Sequence, residues 1–472
     1  MTTDRKPTAK FTQGSMMKHV VVMTMTGSVG LMAIFIVDFA NLFYISLLGA
    51  QDMAAAIGYA GTILFFNIAI CIGMTIATSA VVAKALGSGD RQAARRRAGV
   101  SIAFVTGITL VLVAIMMPAL DALLSLLGAT GRTKEIALGY LLIIVPSVPF
   151  LGVGMALSGI LRAVGDAKRA MYVTLAGGLV TAALDPIFIF LLDLGVTGAA
   201  IVAILSRMTI LAVGLHGAIK VHNLIGLPKV TELVSDFRAL TSIAIPAVLT
   251  NIATPVGNAY ITGAIAPYGD DAVAGWAVIG RIIPLIFGGI FALSGAVGPI
   301  LGQNYGANQF QRVRNGLNNA LIFSTVYTLV MWVLLVAASG LIVEFFGARD
   351  IGAELILFFC YYIAGSFIFM GFLFVSNAAY NNLGYPTYST FFNWGRATLG
   401  TIPFVSIGAY LAGAQGVLAG QALGACIFGV AAIVICYKVT GRLEKHTLEG
   451  TPPVALWKHA LSAFSSGKSA GL

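Results

Sequence analysis

Twelve apolar runs, each long enough to cross a bilayer, leave this chain little choice of fold. A span needs about 20 residues, and the runs cover 19–47, 53–83, 96–118, 135–160, 169–192, 195–219, 239–266, 272–301, 316–340, 351–380, 386–411 and 416–437. In hydrocarbon every backbone polar group must be bonded internally, so runs of this length become helices. An all-α membrane protein with twelve transmembrane helices is expected. Several runs exceed the minimum and contain Gly or Pro, which predicts tilted or bent helices. Only 10% of the 472 residues are charged, and the net charge is +10. A nucleic-acid partner is not expected: such a protein gathers its basic residues on one face of a soluble domain, whereas here they sit in breaks between apolar runs.

An even number of spans returns the chain to the side from which it started. Of the 28 Lys and Arg, 22 lie in the two ends of the chain and in the breaks after even-numbered runs, while only Arg132, Lys134 and Arg349 lie in the odd-numbered breaks. The positive-inside rule then puts both termini in the cytoplasm, with the protein in the cytoplasmic (inner) membrane. Arg207, Arg281 and Arg396 fall near the ends of runs and are expected to snorkel to the interface. The polar N-terminal stretch has no small-residue cleavage site, so no removable signal peptide is expected. Cys71, Cys360, Cys426 and Cys436 stand singly in apolar runs and read as small core residues. The five histidines lie at run ends or in the tails, so neither a metal site nor a cofactor is expected.

The chain repeats itself. DMAAAIGYAGTILFFNIAICIG followed by VVAKALGSGDRQAARRRAG lines up with DAVAGWAVIGRIIPLIFGGI followed by PILGQNYGANQFQRVRNG. Gly49 corresponds to Gly269 at an offset of 220, and Gly87 to Gly306 and Gly165 to Gly384 at 219. Each copy holds six spans, so both enter the membrane in the same orientation, an arrangement transporters use for alternating access. The chain divides into an N-tail (1–18), a six-helix lobe (19–219), a linker (220–238), a second six-helix lobe (239–437) and a C-tail (438–472). A monomer in the lipid bilayer is expected.

Within the first run Asp38 stands near mid-membrane, with Asn41 on the same helical face. An unpaired carboxylate at that depth costs at least ~2.5–3.5 kcal/mol, so it should face a partner or a water-filled cavity. Asp185 in the fifth run is a second buried acid. It precedes Pro186, and a structural role ending a helix competes with a functional one. A carboxylate in a poorly hydrated cavity prefers its neutral form, and a nearby organic cation pulls the other way. Proton and cation then compete for one charge, which is antiport. Asp38 is the first candidate for proton acceptor and Asp185 its partner, with Asn41 and Thr181 positioned to share the proton. Tyr44, Ser206 and Asn258 are weaker candidates for lining the substrate cavity.

The two six-helix repeats, the break Gly87 to Arg97, its second copy Gly302 to Arg314, LRAVGDAKRAM at Leu161 to Met171 and LDPIFIF at Leu184 to Phe190 together resemble the multidrug and toxic compound extrusion (MATE) family. The resemblance implies an export antiporter driven by protons or sodium that handles amphipathic organic cations. The branch with coupling carboxylates in the seventh and tenth helices is not the match, since 239–266 and 351–380 hold none at mid-span. Asp38 and Asp185 instead resemble the DinF-like branch, in which coupling lies in the first lobe. That branch has an asparagine one turn before the fifth-helix aspartate, where this chain has Thr181. Its sixth-helix threonine would fall near Ala203, with Ser206 the closest hydroxyl. Sodium wants several oxygen ligands, so both departures favour the proton. The first-helix proline of the branch is absent, with Thr26 facing Pro246 across the repeat.

Two other classes are weighed against this one. Gly87-Ser88-Gly89-Asp90 fits one motif of intramembrane aspartyl proteases, but the Tyr-Asp partner motif does not occur and Asp90 lies in a basic break outside hydrocarbon, so no enzyme is expected. The closer rival is a flippase of the same superfamily for lipid-linked or anionic glycans, whose cavity should present several cations.

Overall fold

The computed structural model describes residues 9–47, 51–226 and 230–448, with the side chains of 38–43, 45–47, 51, 52, 54, 230, 231 and 446–448 outside that description. The first lobe comprises α1 (Met16–Leu47), α2 (Gln51–Gly87), α3 (Arg91–Leu126), α4 (Gly131–Ile144) with α5 (Val148–Val164), α6 (Ala167–Pro186) and α7 (Gly195–Leu215). The second comprises α8 (Val230–Ile265), α9 (Asp270–Ile286) with α10 (Gly288–Gly306), α11 (Phe310–Phe345), α12 (Asp350–Phe358) with α13 (Phe367–Leu383), α14 (Pro386–Ala397) and α15 (Ile402–Leu448). The eighth span is bent by 47° between α9 and α10. The apolar stretch Pro386–Lys445 is 60 residues long, about three times what a bilayer needs, and it breaks at Ala412 and Gly413, whose backbone is non-helical. It therefore supplies the eleventh and twelfth spans. α1 and α8 begin at Met16 and Val230, inside the stretches read from sequence as tail and linker.

The repeated motifs are helix punctuation. Gly165 closes α5 in the left-handed conformation at φ 89° and Asp166 caps α6 by accepting from the Arg169 amide. Gly89 turns at φ 78°, and Asp90 accepts from Ala93 N at 2.8 Å to cap α3. A glycine at the stop and an aspartate at the next start satisfy both helix ends without a side-chain clash. The repeat also conserves a bond whose donor has changed sides. Ser158 Oγ donates to the Ala170 carbonyl at 3.3 Å, and at the equivalent positions Ser389 Oγ donates to the Asn377 carbonyl at 3.3 Å.

The lobes meet backbone to backbone at the end where α1 begins. A Cβ on Gly87 would sit 2.0 Å from the Gln303 carbonyl oxygen, and one on Gly306 would sit 2.2 Å from that of Lys84. The Lys84 ammonium rests 4.7 Å from the centre of the Tyr305 ring. Across this seam runs the segment ahead of α1. Phe11, 1% exposed, is buried in the second lobe's core beside Phe310 and Leu383. Its amide donates to Gln303 Oε1 at 2.8 Å, and its carbonyl accepts from Asn304 Nδ2 at 3.1 Å and Arg312 Nη2 at 2.9 Å. Lys10 Nζ donates to the Gly165 carbonyl of the first lobe at 2.6 Å, and Gln303 Nε2 donates to that of Ala163 at 2.6 Å. The strap thus binds both lobes.

The stretch entering α8 is held to α3 by charge: Asp236 pairs with Arg96 Nε at 2.7 Å and Arg97 Nε at 3.4 Å, and Arg96 also pairs with Glu232. Asp166 accepts from Arg169 Nη1 at 2.6 Å and faces His222 Nε2 at 2.8 Å. Partial burial pushes its carboxyl up, but these bonds outweigh that and hold it below the usual aspartate range.

Candidate functional site

The polar cluster of the first lobe is built where α6 ends. Asp185, 1% exposed, lies in its last turn. Pro186 follows, and the helix widens to a π turn over Ile187–Leu191. A proline has no N–H and its ring crowds the carbonyl four residues back, and π turns recur where such a ladder is interrupted. One turn before Asp185, Thr181 Oγ1 donates to the Gly177 carbonyl at 3.1 Å, and Ser206 Oγ of α7 donates to the same oxygen at 2.9 Å. The approach of α7 requires glycine there, because a Cβ on Gly177 would lie 2.6 Å from the Ile210 side chain.

α1 packs along the other side of α6. Gly178 faces Val37 and Ala33, and further along Tyr44, half-buried, sets its ring edge-on to Phe190 at 6.0 Å. The α1 backbone between these contacts carries Asp38 and Asn41 and runs beside the turn that bears Asp185. The side chains of Asp38 and Asn41 lie outside the described residues. Of the sequence candidates, the structure joins Thr181 and Ser206 through one carbonyl, sets Asp185 one turn away, and brings Tyr44 alongside the same segment. Ser206, expected along the cavity, is 9% exposed. Asn258 stands on α8 of the other lobe, exposed.

The snorkelling expectation fails for two of its three arginines. Arg281 is exposed, but Arg207 and Arg396 are only 8% and 7% exposed. Arg207 Nη1 donates to the Ile144 carbonyl at 3.0 Å and to Ser147 Oγ at 2.8 Å. The fourth span breaks there, between α4 and α5, leaving carbonyls that the guanidinium satisfies. Arg396 Nη2 donates to Thr254 Oγ1 at 3.2 Å.

Two six-helix repeats meeting along one seam, with a buried acid in the first lobe, define a multi-pass membrane transporter of the two-lobe class. A MatE family model matches residues 27–187 and again 246–407, once in each lobe. The chain belongs to the MATE family, whose members are transporters rather than enzymes. It is similar to the FAD transporter of Shewanella oneidensis, 26% identical over 89% of this chain and 93% of that one. It is similar too to the multidrug export protein MepA of Staphylococcus aureus, 23% identical over 93% of this chain and 97% of that one. Among solved structures it matches a mutant of the Vibrio cholerae MATE transporter VcmN at a TM-score of 0.87 and 23% identity, covering 91% of this chain and 98% of that one. A superfamily transporter from Pyrococcus furiosus matches at 0.87 and 20%, covering 93% and 99%.

Proposed function

We propose that this exporter is an inner-membrane antiporter, termini in the cytoplasm, that moves amphipathic organic cations outward in exchange for protons, with Asp185 and Asp38 as the exchanging acids. The observation that carries the reading is the burial of Asp185 at 1% exposure on the helix that packs along the Asp38 segment. A charged carboxylate away from water is costly. Either a proton or an organic cation relieves that cost, and occupancy by one expels the other. Asn41 and Thr181 lie one turn from these acids on their own helices, and Tyr44 lies further along α1, edge-on to Phe190. The multidrug names of relatives fit a broad cargo range, and the FAD transporter's name extends the range to be tested to anionic cargo. A glycan flippase would need several cations facing its cavity, and Arg207 is spent on Ile144 and Ser147.

Proteoliposomes holding a fluorescent organic cation test the reading, with a pH gradient or a sodium gradient imposed separately. The pH gradient alone should drive transport, and Asp38→Asn or Asp185→Asn should abolish it in well-folded protein. Transport driven only by sodium, or full transport by both variants, overturns it.

A further inference from the structure

The second lobe buries a cation that no acid among the described residues pairs with. Arg396 is 7% exposed, its Nε has no partner among the described residues, and its Nη2 donates to the Thr254 hydroxyl at 3.2 Å. It ends a polar seam inside the lobe. Ser389 Oγ donates to Asn381 Oδ1 at 3.3 Å and Asn393 Nδ2 donates to Asn377 Oδ1 at 3.0 Å, and Asn393 and Arg396 share a face of α14. The seam contains amides and hydroxyls but no carboxylate. A buried guanidinium loses its hydration, at a cost of several kcal/mol unless a counter-charge replaces the water, and an ionisable residue at membrane depth marks a functional site by default. Arg207 shows the structural alternative: its Nη1 reaches both a carbonyl and a hydroxyl at a broken span.

From Arg396 the polar path reaches an exposed row of α8 through Thr254. Thr254 is exposed, and Asn258 is exposed one turn further along the same face of α8. Under the repeat, Asn258 occupies the position of Asp38, so this row of α8 is the second lobe's counterpart of the α1 row read as facing the cavity. α8 is also the helix that crosses α2 of the first lobe, where Gly73 admits Val248.

We propose that Arg396 and Thr254 form a subsite for a negatively charged group, a carboxylate or phosphate, on the transported molecule. The inference rests on the exporter reading and adds a polarity to it: an acid in the first lobe takes the cationic end of a cargo and a guanidinium in the second takes the anionic end. Zwitterions are then favoured over simple cations of the same shape.

Rhodamine 110, a zwitterion with a free carboxylate, and rhodamine 123, its methyl ester, differ only at that group. Binding of each to the protein in nanodiscs is measured by fluorescence anisotropy. The wild type should bind the acid more tightly than the ester. Arg396→Gln should weaken the acid by about tenfold, the worth of one hydrogen bond to a charged group, and leave the ester unchanged, whereas Arg396→Lys keeps a preference for the acid. Should the glutamine variant fail to fold, Thr254→Asp sets a carboxylate against the guanidinium from an exposed position and should reject the acid in the same way. A wild type that binds the two dyes equally, or neither, overturns the inference, as does an unchanged acid-to-ester ratio in Arg396→Gln or Thr254→Asp. Loss of pH-driven transport of the ester by the wild type would instead count against the antiport reading, so the two failures are distinguishable.

Discussion

Gly87 of α2 lies against the Gln303 carbonyl of α10 so closely that a Cβ would sit 2.0 Å from the oxygen, and the repeat returns the same contact with Gly306 against Lys84 at 2.2 Å. The contact is self-complementary, as in a two-fold dimer, with each lobe offering a glycine to the other's backbone. Gly87→Ala should force the lobes apart at this end and cost about 1–3 kcal/mol, the range of overpacking in a tight contact. Thermal melting of Gly87→Ala and Gly306→Ala should show similar losses, and an alanine at Gly61, which meets nothing within 4 Å, should show none.

The strap should hold the same end shut. Phe11 is the anchor, and Phe→Ala at a fully buried site costs about 3–5 kcal/mol. In Phe11→Ala the contacts of Gln303 and Arg312 to the strap are lost together, so amide hydrogen exchange should rise at the ends of α2 and α10 but not at the far ends of the bundle. Unchanged exchange there would show that the lobes stay closed without the strap.

Thr181→Ala should impair transport less than Asp185→Asn. The hydroxyl supports the α6 backbone through the Gly177 carbonyl, which Ser206 also reaches, while the acid carries the exchangeable proton in the proposed mechanism. Transport rates in proteoliposomes under one imposed pH gradient decide this, and equal damage would move the exchanging group away from Asp185.

Asp166 gives a pH dependence with a definite sign. Its folded carboxyl sits below the ordinary value because Arg169 and His222 bond to it more strongly than burial opposes it. Its contribution to stability is then complete above the ordinary aspartate value of about 3.9 and is lost as pH falls through the lower folded value. Melting temperatures of the wild type and Asp166→Asn should differ at neutral pH and converge in acid.

The spans were legible in the sequence because hydrocarbon imposes one requirement on every residue of a run, and run length alone reports it. The helix breaks followed from Gly165 and Asp166, whose residue types carry their own backbone geometry. The candidate acid Asp185 was legible because a charge in an apolar run is conspicuous whatever it touches. The fates of Arg207 and Arg396 were not: run position gives depth but not the direction of a face, and only the packed lobes show that both point inward. The strap was equally hidden. Phe11 stands among polar residues, and nothing local distinguishes a lone aromatic in a tail from one that fills a pocket formed about 300 residues later.

That separation gives the strap a place in time. Phe11 is synthesised early and its amide waits for Gln303, 292 residues on. At roughly 5–20 residues per second of translation, the interval is roughly 15–60 seconds. Late in that window, once α7 has been made, the first lobe is complete in the membrane but has no latch to close on, because Gln303, Asn304 and Arg312 do not yet exist. The seam can be drawn shut only after the eighth and ninth spans are inserted, so the segment ahead of α1, made before any span, is among the last to find its place.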